Sequence, residues 1–131
     1  MTNSILPSVE MRWVSEDKCP SAAFAGVQFR IARLSFSRRV DLARRVRDLA
    51  QHIEFLDAGG SVRERLDSAV LANEIDRVYV EWGLLGVEGL TIDGEPATPA
   101  SLLERGPAAL VAEIVSAIKR ECGLSDEERK N

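Results

Sequence analysis

SFSRRVDLARRVRDLAQHIEFLDAGGSVRERLDSAVLANEIDRVYVEWG, residues 35–83, decides the fold, because it contains two complete helix signatures joined by Gly59-Gly60. Ser35 or Ser37 can cap a first helix running to about Asp57, and Ala58-Gly59-Gly60 supplies a stop with positive φ. At 100° per residue Leu42, Ala43, Val46, Leu49, Ala50, Ile53 and Leu56 share one arc, opposite Asp41, Arg44, Arg45, Arg47, Asp48 and His52. Ser61 with Glu64 three places on forms a capping box for a second helix reaching Trp82, and the short connection makes the helices antiparallel neighbours.

The second helix has two apolar seams. Val62, Leu66 and Ala69 step along one side, while Leu71, Ile75, Val78 and Trp82 step along nearly the opposite one. A helix with two seams touches two bodies: one is the first helix, and the other is the rest of the fold or a second chain.

Working outward, Val9, Met11 and Trp13 and then Val27, Phe29 and Ile31 alternate with polar residues, predicting two strands of a hairpin around an irregular loop, Ser15 to Gly26. Beyond the helices Gly83, Gly86 and Gly89 interrupt the chain. Leu90-Thr91-Ile92 before Asp93-Gly94 then predicts a third short strand beside that hairpin. Thr98-Pro99 starts a single helical turn ending at Gly106. A last helix puts Leu110, Val111, Ile114, Val115, Ile118 and Cys122 on one stripe and closes at Gly123-Leu124. Ser125 and Glu128 suggest a further cap in a charged tail.

The expected fold is mainly α within the α+β class: a long antiparallel helical hairpin and a C-terminal helix, with a small N-terminal β-hairpin and a third short strand. The 131 residues form a single domain, divided as 8–34, 35–82, 83–98, 99–124 and the tail 125–131.

Composition excludes several classes. Apolar residues make up 45% and charged residues 29%, a globular balance rather than a disordered one. No apolar run is long enough to span a membrane, and Met1 to Glu10 lacks a basic region followed by an apolar one. Cys19 and Cys122 are no disulfide framework, and with one histidine they cannot furnish a four-ligand zinc site. No catalytic, cofactor or metal residues are therefore assigned, and no enzyme activity is expected. His52 lies on a polar helix face with no nucleophile signature around it. Gly83-Leu-Leu-Gly86-Val-Glu-Gly89 lacks the Lys-Ser or Lys-Thr of a phosphate-binding loop.

The net charge of −4 is uneven: residues 30–65 carry nine arginines against five acids, whereas residues 66–131 carry six bases against thirteen acids. The arginine segment can attract nucleic acid or dock on acidic protein surface. Arg38, Arg39, Arg44, Arg45 and Arg47 scatter around the helix among Asp41 and Asp48, so nucleic-acid binding is the second reading rather than the first.

Several strings carry a resemblance: Gly26-Val-Gln-Phe-Arg-Ile leading to Ser35-Phe-Ser-Arg-Arg-Val-Asp-Leu, Tyr79-Val-Glu-Trp82-Gly, and Val87-Glu-Gly-Leu-Thr-Ile-Asp-Gly94 with Ala97-Thr98. Gly106-Pro107, Glu113-Ile114 and the tail from Leu124 to Asn131 belong with them. In this layout the chain resembles the tail assembly chaperones of bacteriophages and prophages. The resemblance implies a non-enzymatic, self-associating protein of the host bacterial cytoplasm that binds the tape measure protein and helps tail tube subunits polymerise.

No site residue transfers from the family. The residues themselves suggest a self-association or client surface of Leu71, Ile75, Val78, Tyr79 and Trp82, with Arg38, Arg39, Arg44 and Arg45 steering the approach electrostatically. The competing reading makes the same seam core beneath the β-hairpin. Expected partners are thus phage tail proteins and a second copy of the chain, with no membrane and no cofactor. The alternative function is a small nucleic-acid-binding regulator using the arginine-rich first helix.

Overall fold

The computed structural model describes residues 10–123. Its order is β1 (Glu16–Pro20), β2 (Gln28–Ala32), α1 (Phe36–Gly59), α2 (Val62–Gly83), β3 (Leu84–Glu88), β4 (Thr91–Ile92), β5 (Glu95–Pro96), α3 (Pro99–Arg105) and α4 (Ala108–Glu121). The α+β class, the helical hairpin and the C-terminal helix are as the sequence predicts.

Local chemistry explains the helix ends. Ser35 Oγ accepts the Arg38 N–H to open α1, and Gly60, at φ 77°, takes the left-handed conformation that ends it. Ser61 Oγ accepts the Glu64 N–H and donates to Glu64 Oε1 at 2.8 Å, so only Gly60 and Ser61 separate α1 from α2. Thr98 and Ser101 cap α3 reciprocally, with Pro99 at its first position. The cap proposed at Ser125 and Glu128 lies outside the described residues.

Two strand assignments are corrected. The first strand is Glu16–Pro20, inside the segment read as loop, and not the alternating Met11 and Trp13. Met11 is 82% exposed and Trp13 lies under the Arg33 guanidinium, 4.4 Å from ring centroid to Cζ, so that alternation has no sheet to face. Val9 lies outside the described residues. The strand that does form, EDKCP, is an edge strand, where charged residues are favoured because they discourage pairing with another chain.

The third strand beside the hairpin is Leu84–Glu88, entered directly from α2, rather than Leu90–Ile92. Thr91–Ile92 pairs instead with Glu95–Pro96 in a separate two-residue hairpin, whose turn puts Asp93 and Gly94 at φ 54° and 83°.

The three-stranded sheet is antiparallel, in the order β1-β2-β3, so β2 is central. Val27, Phe29 and Ile31 point inward and are buried. On the outer face Arg30 lies between Glu16 at 3.0 Å and Glu88 at 3.6 Å, one on each neighbouring strand. Gly86 lies opposite Arg30 and leaves room for the guanidinium, which a Cβ there would push aside.

The core gathers at one end of the helical hairpin. Tyr79, Val80 and Trp82 from the end of α2 and Leu84 of β3 meet Leu102 of α3, Leu110, Ile114 and Ile118 of α4 and the inner face of β2. Among the described residues no helix is long and apolar enough to cross a membrane.

Candidate interaction surface

The described helices leave a bare surface because α2 outruns its cover. At about 1.5 Å per residue, the 22 residues of α2 extend roughly 33 Å and the 14 of α4 only about 21 Å. The sheet, α3 and α4 therefore enclose the C-terminal end of α2, and its N-terminal half packs mainly on α1. Near the middle of α2 Ala50 and Ile53 of α1 line a shallow groove with Ala72 and Ile75 of α2, and Lys119 of α4 also lines it.

The proposed seam is mostly core. Tyr79 and Trp82 are 4% and 7% exposed, Ile75 and Val78 pack on the core, and Leu71 is half-buried. Tyr79 and Trp82 are thus unavailable to a partner without unfolding the end of α2. The other seam, Val62, Leu66 and Ala69, is the bare one: Val62 and Leu66 are 72% and 63% exposed and Ala69 is exposed, as are Val70 beside it at 59% and Phe55, near the end of α1, at 73%. Stepping by four, Val62, Leu66 and Val70 form a continuous apolar stripe on α2. Sequence periodicity shows that both seams exist; which one is covered depends on where α3, α4 and the sheet end.

The arginines do not act as one group. Arg38 is half-buried: its Nη2 donates to the Trp82 carbonyl oxygen and its Cζ stacks 4.5 Å from the Trp82 ring centroid. Its Nε is buried without a hydrogen-bond partner among the described residues. Arg38 therefore ties the start of α1 to the end of α2. Arg45 pairs with Asp41 at 2.9 Å along the helix. Arg39 and Arg44 are exposed and make no ion pair among the described residues.

Arg39 and Arg47 flank a cavity of about 260 Å³ whose apolar wall comes from Leu42, Ala43 and Val46 of α1, Tyr79 of α2, and Leu34 and Cys122. Burial pushes the Cys122 thiol up to about 11, with Glu121 adding to the shift, so it is a packed thiol rather than a nucleophile.

One clamp has no counterpart in the sequence reading. Glu113 of α4 accepts from Ser21 Oγ at 2.6 Å and from the Ala22 N–H at 2.6 Å, fastening the β1–β2 loop onto the last helix. The Ser21 hydrogen bond, followed by the Ala22 amide, holds the Glu113 carboxyl below its ordinary value. Ninety-two positions separate Ser21 from Glu113, so no local pattern announces the contact.

In comparisons with known proteins, no family model, curated protein or solved structure matches this chain. Its function is therefore argued from its own surface.

Proposed function

We propose that this chain is a non-enzymatic phage tail-assembly factor of the chaperone kind, which binds the tape measure or tail tube protein in the host bacterial cytoplasm. The observation that carries this reading is the bare apolar tip of the hairpin, where Phe55, Val62 and Leu66 are each more than half exposed. Val62 and Leu66 lie one turn apart along α2, and exposed apolar side chains that adjoin one another on a folded domain mark a surface that a partner covers. An amphipathic helix is the natural occupant, since a helical groove receives side chains at spacings of three and four.

The strings that resemble tail assembly chaperones support the reading from the side of the scaffold. Gly26–Ile31 holds most of the central strand, and Tyr79–Gly83 is the enclosed end of α2. They build the platform from which the tip projects.

The test is co-expression of the tagged chain with the tape measure and tail tube proteins of the same phage or prophage. Co-purification with one of them is expected. It should be lost in Phe55→Asp with Val62→Asp, while far-UV circular dichroism stays that of the wild type. A complex indifferent to these substitutions would overturn the tip as the client surface. Binding to duplex DNA that falls steeply with salt, and is weakened by Arg44→Ala with Arg45→Ala, would replace the reading with the nucleic-acid regulator.

A further inference from the structure

Two features are left over once the core and the tip are accounted for. The first is the cavity flanked by Arg39 and Arg47. Those two positions are eight apart on α1, about 12 Å along the axis, with Ala43 and Val46 between them. Arg39 has no ion pair among the described residues, and Arg47 meets only Asp48, at 3.7 Å, where both side chains are largely exposed. The groove is thus an apolar trough with a cation at each end.

The second feature is the outward side of α2 beside the tip. Asp67, Val70 and Glu74 fall within about 60° of one another on the helix, and the two carboxylates are seven positions, about 10.5 Å, apart. Val70 is 59% exposed between them. Asp67 has no ion pair among the described residues, and Glu74 meets only Arg77, at 3.9 Å. This is an apolar residue with an anion at each end, the complement of the trough in charge and very nearly in length.

We propose that the α2 stripe Asp67–Val70–Glu74 of one copy docks in the Arg39–Arg47 groove of a second copy, so that the chain associates head to tail. The weak exposed pairs at Arg47 and Glu74 are exchanged for pairs across the interface, and Val70 enters the trough. Groove and stripe are different patches of the same molecule, so the contact is heterologous. It repeats into a ring or an open run of copies rather than closing on itself as a two-fold dimer.

Phe55 and Val62 at the tip stay free in such a run. If the tip is a client surface, as proposed above, successive tips are presented along one long partner. The inference rests on that reading only for its use; the docking itself stands on the two patches.

The test uses the full chain in sedimentation velocity and in light scattering on a size-exclusion column. Wild type should gain mass with concentration and lose it with added salt. Arg39→Glu with Arg47→Glu removes the groove, and Asp67→Arg with Glu74→Arg removes the stripe. Each variant should weaken association by about tenfold or more and keep the wild-type circular dichroism.

Mixing the two variants is the decisive arm: one good groove meets one good stripe, and growth stops at a heterodimer. A wild type that is monomeric at all concentrations would overturn the proposal, as would association untouched by either reversal or a mixture that stays monomeric. Because neither variant alters Phe55 or Val62, a monomer that still takes up its client would end head-to-tail association and leave the proposed function standing.

Discussion

The two halves of α2 both carry apolar side chains and meet opposite fates. At the C-terminal end Tyr79, Val80 and Trp82 are 4%, 0% and 7% exposed, closed in by sheet, α3 and α4. At the N-terminal end Val62, Leu66 and Val70 are 72%, 63% and 59% exposed, although they step along the helix by four. The difference teaches that apolar spacing records a capacity for packing. Which seam is filled depends on how far neighbouring elements reach, and α4 is simply shorter than α2.

The strongest way to break this comparison is Trp82→Ala. Removing a buried indole, and with it the platform on which Arg38 stacks, should cost about 3–5 kcal/mol and leave the chain largely unfolded. Urea denaturation followed by tryptophan fluorescence and circular dichroism measures it. A stable, fully folded variant would show that the end of α2 is not the core it is taken to be here.

Next in size is Glu113→Gln, which weakens the clamp on Ser21 and Ala22 and should cost about 1–2 kcal/mol at neutral pH. Because the folded carboxyl sits below its ordinary value, its contribution is complete above the unfolded glutamate pKa of about 4.3 and is lost as pH falls through the lower folded value. Denaturation midpoints of wild type and variant should therefore converge in acid. A gap that stays constant with pH would assign the effect to packing.

Ser61→Ala removes the cap on α2 and should cost about 1 kcal/mol. Native-state hydrogen exchange would find the loss concentrated in the first turns of α2, since that half packs mainly on α1. Uniformly faster exchange throughout the core would instead show that the two halves open together.

The smallest effect sharpens the contrast most. Leu66→Ser at the bare seam should change stability by no more than about 0.5 kcal/mol, a value ordinary for a surface site, even though it removes a leucine. A cost comparable to that of a core leucine would mean that the stripe is covered within the monomer.

Much of the fold was legible in the residues. Ser35, Gly60, Ser61 and Thr98 mark helix ends through hydrogen bonds reaching no more than a turn, so local sequence announces them. Val27, Phe29 and Ile31 alternate because they line one face of a central strand. The first strand was misplaced for the converse reason: the edge position of Glu16–Pro20 favours charge over alternation, while Met11 and Trp13 alternate without a sheet beneath them. The third strand was misplaced because β2 selects its neighbour, and Leu84–Glu88 emerges from α2 already beside it.

By itself the sequence determined the class of the protein, its two long antiparallel helices, their caps and the existence of two apolar seams on α2. Each of these follows from interactions between residues a few positions apart. Tertiary structure alone decided that Trp82 is core and Leu66 is surface, that Arg38 serves the core while Arg39 faces a groove, and that Glu113 holds Ser21. Those outcomes depend on the lengths and meeting points of elements far apart in the chain, because a side chain is buried only where another element arrives to cover it.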